Sequence, residues 1–115
     1  MRHLFLLVLF LLAPLAFLHC AQEPSDAAEI AELRSDAEQG LALAQYNLGY
    51  LYDHGQGVAQ DYVAAYVWYK IAATQGYAFA MASRDIAAER LDTASLARAQ
   101  KLSDKYFKRY VEPFQ

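Results

Sequence analysis

His54 stands next to Asp53, and this pair is the point in the chain that most resembles a catalytic arrangement. An imidazole can act as a general base near neutral pH. The sequence fixes no serine or cysteine nucleophile near His54, however, and one histidine with scattered carboxylates does not make a metal-ligand cluster. We therefore expect no catalytic, cofactor-binding or metal site, and we interpret His54 as a solvated turn residue in a protein that is not an enzyme.

The first twenty residues are typical of a secretory signal peptide. Met1-Arg2-His3 precedes an apolar run over 4–18, as in the charged and apolar regions of such peptides. A membrane-spanning helix needs about 20 apolar residues, and Pro14 interrupts this shorter run. We expect residues 1–20 to be cleaved and the mature chain to be extracytoplasmic, either periplasmic or secreted.

The fate of Cys20, the only cysteine, depends on the cleavage site. Cys20 could become the lipidated first residue of a lipoprotein, although His19 takes the place where such signals carry a small residue. A cut after Cys20 or Ala21 would instead leave no thiol in the mature chain. In either case we expect contact with a membrane only through the signal segment or through a lipid anchor at Cys20.

Length and charge limit the mature protein to one acidic domain. Removing 20 of 115 residues leaves 95, enough for one compact unit, with a tether at 21–24, a domain at 25–111 and a tail at 112–115. Residues 21–61 carry eight acidic groups and one basic group, whereas residues 62–115 carry eight basic and five acidic groups. Export and a net acidic chain argue against nucleic-acid binding.

A recurring dipeptide indicates the architecture. Gln39-Gly40 returns as Gln75-Gly76, an interval of 76 − 40 = 36 residues, and a fixed period of this length is typical of a solenoid. Apolar residues at helical spacing predict helices over about 26–39, 41–52, 62–74, 77–91 and 93–111. The predicted fold is all-α, an α-solenoid of antiparallel helix pairs with about two and a half repeats and capping helices.

Single residues in this pattern have structural roles that can be predicted. Asp61 and Asp92 stand where a helix N-cap is needed. Gly49 costs up to about 1 kcal/mol within a helix relative to alanine, so its presence predicts that another helix approaches too closely for a side chain. The third helix is apolar almost all round, which predicts a central position between other helices.

The repeat resembles the Sel1-like repeats, relatives of the tetratricopeptide repeat, over roughly 33–80. The resemblance is carried by Ala44, Leu48-Gly49, Tyr52, Gly55, Gly57-Val58, Asp61, Ala65, Trp68, Ala72-Ala73 and Gly76. It implies a stack of helix pairs that acts as an adaptor for another protein, commonly in bacterial envelopes. A cysteine-rich branch of the family is associated with binding or hydrolysing β-lactams, but the pair of cysteines that its repeats carry is missing here.

Two surfaces are candidates for binding. In tetratricopeptide-like stacks the stripe beside the core stripe of the second helix faces the concave surface, and here it consists of Leu43, Tyr46, Asn47 and Tyr50. Aromatic residues are favoured anchors in interfaces, although the same side chains could simply pack within the molecule. The last helix has a basic stripe that could meet an acidic partner or anionic lipid, or could be the solvated side of a cap. We expect a monomer that binds an envelope or secreted protein, for example as an immunity protein against a secreted effector, with a cell-wall or β-lactam hydrolase as the alternative.

Overall fold

The computed structural model describes residues 26–115, which form five α-helices and no strand. The predicted signal peptide, the tether and Cys20 lie outside the described residues. Every predicted helix is present, with its ends within about two residues of those expected from the sequence, and the all-α prediction is confirmed. The elements are α1 (Asp26–Glu38), α2 (Ala42–His54), α3 (Tyr62–Thr74), α4 (Ala78–Glu89), α5 (Thr93–Tyr110) and a final 3₁₀ turn (Glu112–Phe114).

Helix α3 is the centre of the core, as its apolar composition predicts. Residues 65–69 are buried one after another, and so are Ile71, Ala72 and Ala73. This continuous burial is possible because α2, α4 and α5 all pack against α3. Trp68 packs against the rings of Tyr106 and Tyr110 of α5, at centroid distances of 5.3 and 5.8 Å.

The helix starts agree with the cap predictions. The Asp61 Oδ1 accepts a hydrogen bond from the backbone N–H of Ala64 at 3.1 Å, and the Asp92 Oδ1 accepts one from Ser95 at 2.7 Å. The backbone hydrogen bond from Ser95 lowers the pKa of Asp92 because it stabilises the carboxylate form. Each cap satisfies a backbone donor that the first helical turn leaves free.

Gly49 confirms the predicted close approach of two helices. A Cβ at this position would lie 2.8 Å from Cδ1 of Tyr69 and 3.3 Å from the carbonyl oxygen of Ala65, both on α3. These distances are shorter than van der Waals contact, so the α2–α3 pair can pack at this separation only with glycine at position 49.

The second repeat departs from the first where a second antiparallel pair is expected. Among the described helices, α5 packs against α3, touches α1, and does not run alongside α4. The connection explains the difference: seven residues (55–61), with Gly55 and Gly57 at positive φ, join α2 to α3, whereas three residues (90–92) join α4 to α5. At the position equivalent to Gly49 stands Asp85, whose side chain is solvent-exposed.

Because α5 turns back over α3, the end of the chain returns to the first turn of the molecule. The backbone carbonyl of Tyr110 and the ring of Phe114 both lie close to Gly40, whose φ of 89° is in the region that favours glycine. A Cβ on Gly40 would come within 2.9 Å of that carbonyl oxygen. The predicted tail therefore contributes a short turn that packs beside the junction of α1 and α2.

Candidate interaction surface

His54 lies at the end of α2, in contact with its own helix. Its ring stacks on Tyr50 at a centroid distance of 4.0 Å, and its Nδ1 lies 3.0 Å from the backbone carbonyl oxygen of Tyr50. The Asp53 Oδ2 is 4.0 Å from that nitrogen. Within residues 26–115, no three side chains of His, Cys, Asp or Glu come close enough together to hold a metal ion.

The Asp53 carboxylate is occupied by a structural network. Asp53 is buried, its Oδ1 accepts from Nη1 of Arg90 at 2.6 Å, and its Oδ2 accepts from the hydroxyl of Tyr69 at 3.3 Å. Burial is the main cause that raises the pKa of Tyr69, and the negative charge of Asp53 raises it further, because both disfavour a phenolate. The Arg90 guanidinium also lies over the ring of Tyr62, 5.1 Å from its centroid. The network joins α2 and α3 to the end of α4 and leaves Asp53 poorly placed to orient His54.

The predicted stripe of α2 lies mainly on the surface. Leu43 and Tyr50 are 56% and 40% exposed, large fractions for apolar side chains, and Asn47 is also exposed. Tyr46 is half-buried between the rings of Tyr69 and Tyr77, at centroid distances of 5.6 and 5.2 Å. The stripe is therefore an exposed row with one partly packed tyrosine at its centre.

Helix α4 carries an equivalent row that the sequence analysis missed. Adding the 36-residue period to the four positions of α2 gives Phe79, Ala82, Ser83 and Ile86. Phe79 is 70% exposed and Ile86 is 49% exposed, in the same way as Leu43 and Tyr50. The repeat period could have revealed this row, because it maps each surface position of one repeat onto the next.

The two rows form one surface. Helices α2 and α4 contact each other directly, and Tyr77 links them, since its ring contacts both Tyr46 and Phe79, the latter at a centroid distance of 5.9 Å. We call these eight residues the α2–α4 surface: Leu43, Tyr46, Asn47 and Tyr50 of α2, and Phe79, Ala82, Ser83 and Ile86 of α4. Exposed apolar side chains gathered in this way are typical of interaction sites, whereas isolated ones are not.

Acidic groups lie at both ends of the α2–α4 surface. Near Leu43, a surface depression of about 400 Å³ is lined by Asp36 together with Leu33, Leu41 and Asn47. Near Ile86 on α4, Asp85 precedes it and Glu89 follows it, and both are exposed. Asp85 pairs with Arg84 at 2.9 Å, whereas Asp36 and Glu89 form no ion pair among residues 26–115.

The second predicted surface is the basic stripe of α5, the helix that packs against α3. All its members are exposed: Arg98, Lys101, Lys105, Lys108 and Arg109. A depression of about 390 Å³ between α3 and α5 is lined by both Lys70 and Lys108, together with Asp104. In the part of the chain that the structure describes, no helix is long and apolar enough to cross a membrane.

Comparison with known proteins agrees with this architecture. The model of the Sel1 repeat family matches residues 42–77, the span from the start of α2 to the residue before α4. Residues 42–77 are therefore a Sel1 repeat, and the fold of the chain is of the Sel1-like type. No curated protein matches the chain.

A solved structure shows the same type of repeat in another protein. The crystal structure of a protective antigen present in uropathogenic Escherichia coli strains, which displays a Sel1-like repeat (SLR) fold, is 36% identical to this chain with a TM-score of 0.72. The similarity covers 74% of this chain and 18% of that antigen, so the match spans a small part of the larger protein. Proteins with Sel1-like repeats are typically non-catalytic modules for protein interaction.

Proposed function

We propose that this Sel1-like repeat protein is an exported adaptor that binds another envelope or secreted protein through the α2–α4 surface. The observation that supports the proposal is the pair of equivalent apolar rows, since Leu43, Tyr50, Phe79 and Ile86 are all large and at least 40% exposed. Burying such side chains yields about 25 cal/mol per Å² of apolar area. These side chains are exposed in the chain alone, and a partner that covers them would bury them.

The proposed location rests on the signal-like segment at residues 1–20. An exported chain meets envelope or secreted proteins, so its partner belongs to the same compartment. Fractionation of cells that express the full chain tests this part: we expect the protein in the envelope or medium, shortened by about 20 residues. A full-length protein in the cytoplasm would contradict it.

The binding proposal is tested by capture from envelope extracts with matched variants. The wild-type chain and a Tyr50→Ser/Phe79→Ser variant are compared with Met81→Ser, because Met81 is also an exposed apolar residue of α4 (42%) but lies outside the α2–α4 surface. We expect a protein recovered by the wild type and by Met81→Ser and lost with the double variant. Equal recovery by all three would place binding elsewhere.

We also propose that the protein is not an enzyme. His54 contacts Tyr50, and Asp53 is held by Arg90 and Tyr69, an arrangement that offers no activated nucleophile. Incubation with a chromogenic β-lactam and with muropeptides tests this proposal. Turnover that disappears in a His54→Ala variant would overturn it.

A further inference from the structure

We infer that the partner segment recognised by the α2–α4 surface is an amphipathic α-helix with apolar anchors about two turns apart and with lysine or arginine at its flanks. The inference rests on the proposed binding function and specifies its chemistry. Three observations lead to it: the spacing of the apolar side chains, the small number of hydrogen-bonding groups on the surface, and the charge at its two ends.

The spacing of the exposed apolar residues fits the spacing of anchors on a helix. Leu43 and Tyr50 are seven residues apart on α2, as are Phe79 and Ile86 on α4. At 1.5 Å per residue this places the ends of each row roughly 10 Å apart. Smaller residues, Ala82 and Ser83, lie between Phe79 and Ile86 and leave room for a projecting side chain. A partner helix with apolar residues at positions i, i+3 or i+4, and i+7 would meet these contacts.

The polar groups of the surface favour a helix over an extended peptide. An extended segment exposes its backbone N–H and C=O groups, which need partners when they are buried. The α2–α4 surface is made of helix faces whose backbone groups are already paired within α2 and α4, and its polar side chains are those of Asn47, Ser83 and the tyrosines. A helix satisfies its own backbone groups and presents only side chains.

The charge at the two ends indicates the sign of the partner. Asp36 lies in the depression beside Leu43, and Asp85 and Glu89 lie beside Ile86. Arg84 pairs with Asp85 and Arg90 pairs with Asp53, so these charges offset each other, whereas Asp36 and Glu89 have no cationic partner among residues 26–115. Each end therefore keeps one unpaired carboxylate, which favours a segment with basic flanks by complementarity.

The same charges argue against a second copy of the chain as the occupant. Stacking one molecule end to end on another would bring α1, with Asp26, Glu29 and Glu32 on its exposed side, against the acidic α4. Like charges brought together across an interface are unfavourable. The basic helix of the chain, α5, has its apolar side covered by α3, so it cannot offer that side to a second molecule without unfolding.

The test uses designed peptides and the protein expressed from its full sequence. The probes are an 18-residue helical peptide with leucines at i, i+4 and i+7 and lysine flanks, the same peptide with glutamate flanks, and a proline-containing version of the lysine peptide that cannot form a helix. Binding is measured by fluorescence anisotropy at low and high salt. Wild type is compared with Phe79→Ser/Ile86→Ser, with Asp36→Asn/Glu89→Gln, and with the control Met81→Ser.

We expect the lysine peptide to bind at least about tenfold more tightly than the other two peptides, which corresponds to 1.4 kcal/mol or more. Phe79→Ser/Ile86→Ser should weaken its binding by a similar factor, and Met81→Ser should change it by less than about twofold. Asp36→Asn/Glu89→Gln should reduce the preference for lysine over glutamate, and so should high salt, because salt screens exposed charges.

Several outcomes would overturn the inference. Equal binding of the lysine and glutamate peptides would remove the charge argument, and preferential binding of the proline peptide would indicate an extended ligand. Equal loss of binding in Met81→Ser would mean that the peptide adheres nonspecifically. If none of the three peptides binds but the wild type still captures an envelope protein that the Tyr50→Ser/Phe79→Ser variant loses, the helical partner is rejected and the adaptor proposal is retained. If neither the peptides nor an envelope protein binds, both proposals are rejected.

Discussion

The Nη1 of Arg90, at the end of α4, lies 2.6 Å from the Oδ1 of Asp53, at the end of α2. The two residues are 37 positions apart, so the contact joins the two repeats at equivalent ends of their first helices. Because the Asp53 side chain is only 9% exposed, loss of its cation leaves a charge that water cannot fully solvate.

Replacing Arg90 with alanine should therefore lower the free energy of unfolding by about 2 kcal/mol, the range for hydrogen bonds to charged groups. Arg84→Ala is the control, because Arg84 pairs with the exposed Asp85 and surface pairs contribute at most about 1 kcal/mol. Urea unfolding followed by circular dichroism measures both. Equal losses in the two variants would mean that the Asp53 network adds nothing beyond a surface pair.

A second prediction concerns the contact between α2 and α3. Gly49→Ala should destabilise the protein by about 2 kcal/mol, because the new methyl group would overlap the buried ring of Tyr69 and overpacking a core costs typically 1–3 kcal/mol. The matched control is Asp85→Ala at the equivalent position of the second repeat, where no such contact exists and the change should be within about 0.5 kcal/mol. Thermal unfolding of both variants measures the difference. Stabilisation by Gly49→Ala, as helix propensity alone predicts, would contradict the close packing.

A third prediction concerns a buried amide that links three helices. Gln45 is fully buried; its Nε2 donates to the carbonyl oxygen of Ala37 at 3.0 Å and its Oε1 accepts from Nε2 of Gln75 at 2.8 Å. Gln45→Met, which keeps the volume and removes both hydrogen bonds, should cost about 1–2 kcal/mol. The exposed Gln39 is the control, since Gln39→Met should have little effect. The equivalent position of the second repeat is the exposed Met81. If Gln45→Met is as stable as wild type, the two hydrogen bonds of the amide make no net contribution to stability.

A fourth prediction follows from the raised pKa of Tyr69. A tyrosine with a higher pKa in the folded state than in the unfolded chain stabilises the fold fully below its unfolded pKa of about 10, and this contribution is lost as the pH rises above that value. The free energy of unfolding should therefore fall more steeply between pH 9 and pH 11 in wild type than in Tyr69→Phe. Tyr106, whose pKa is also raised by burial, leaves a smaller decline in the variant. Parallel slopes for the two proteins would show that Tyr69 ionises as freely in the folded state as in the unfolded chain.

The sequence predicted most of the fold because the decisive signals are local. Helix spacing and the caps at Asp61 and Asp92 depend on residues within one or two turns of each other, and the 36-residue period is visible directly in the sequence. Gly49 was informative for a similar reason: glycine inside a helix has a cost, and in this repeat a close helix contact accounts for it. The α2 half of the candidate surface could also be predicted, since it lies beside a recognisable core stripe.

Other features depend on distances across the molecule. The pairing of Arg90 with Asp53, the chain of rings from Tyr69 through Tyr46 and Tyr77 to Phe79, and the packing of α5 on α3 rather than along α4 join residues far apart in the sequence. Helical periodicity specifies which face of a helix is apolar, but not which neighbour covers it. The tertiary structure decides this: α5 follows the short turn at 90–92 and packs on α3 and not along α4.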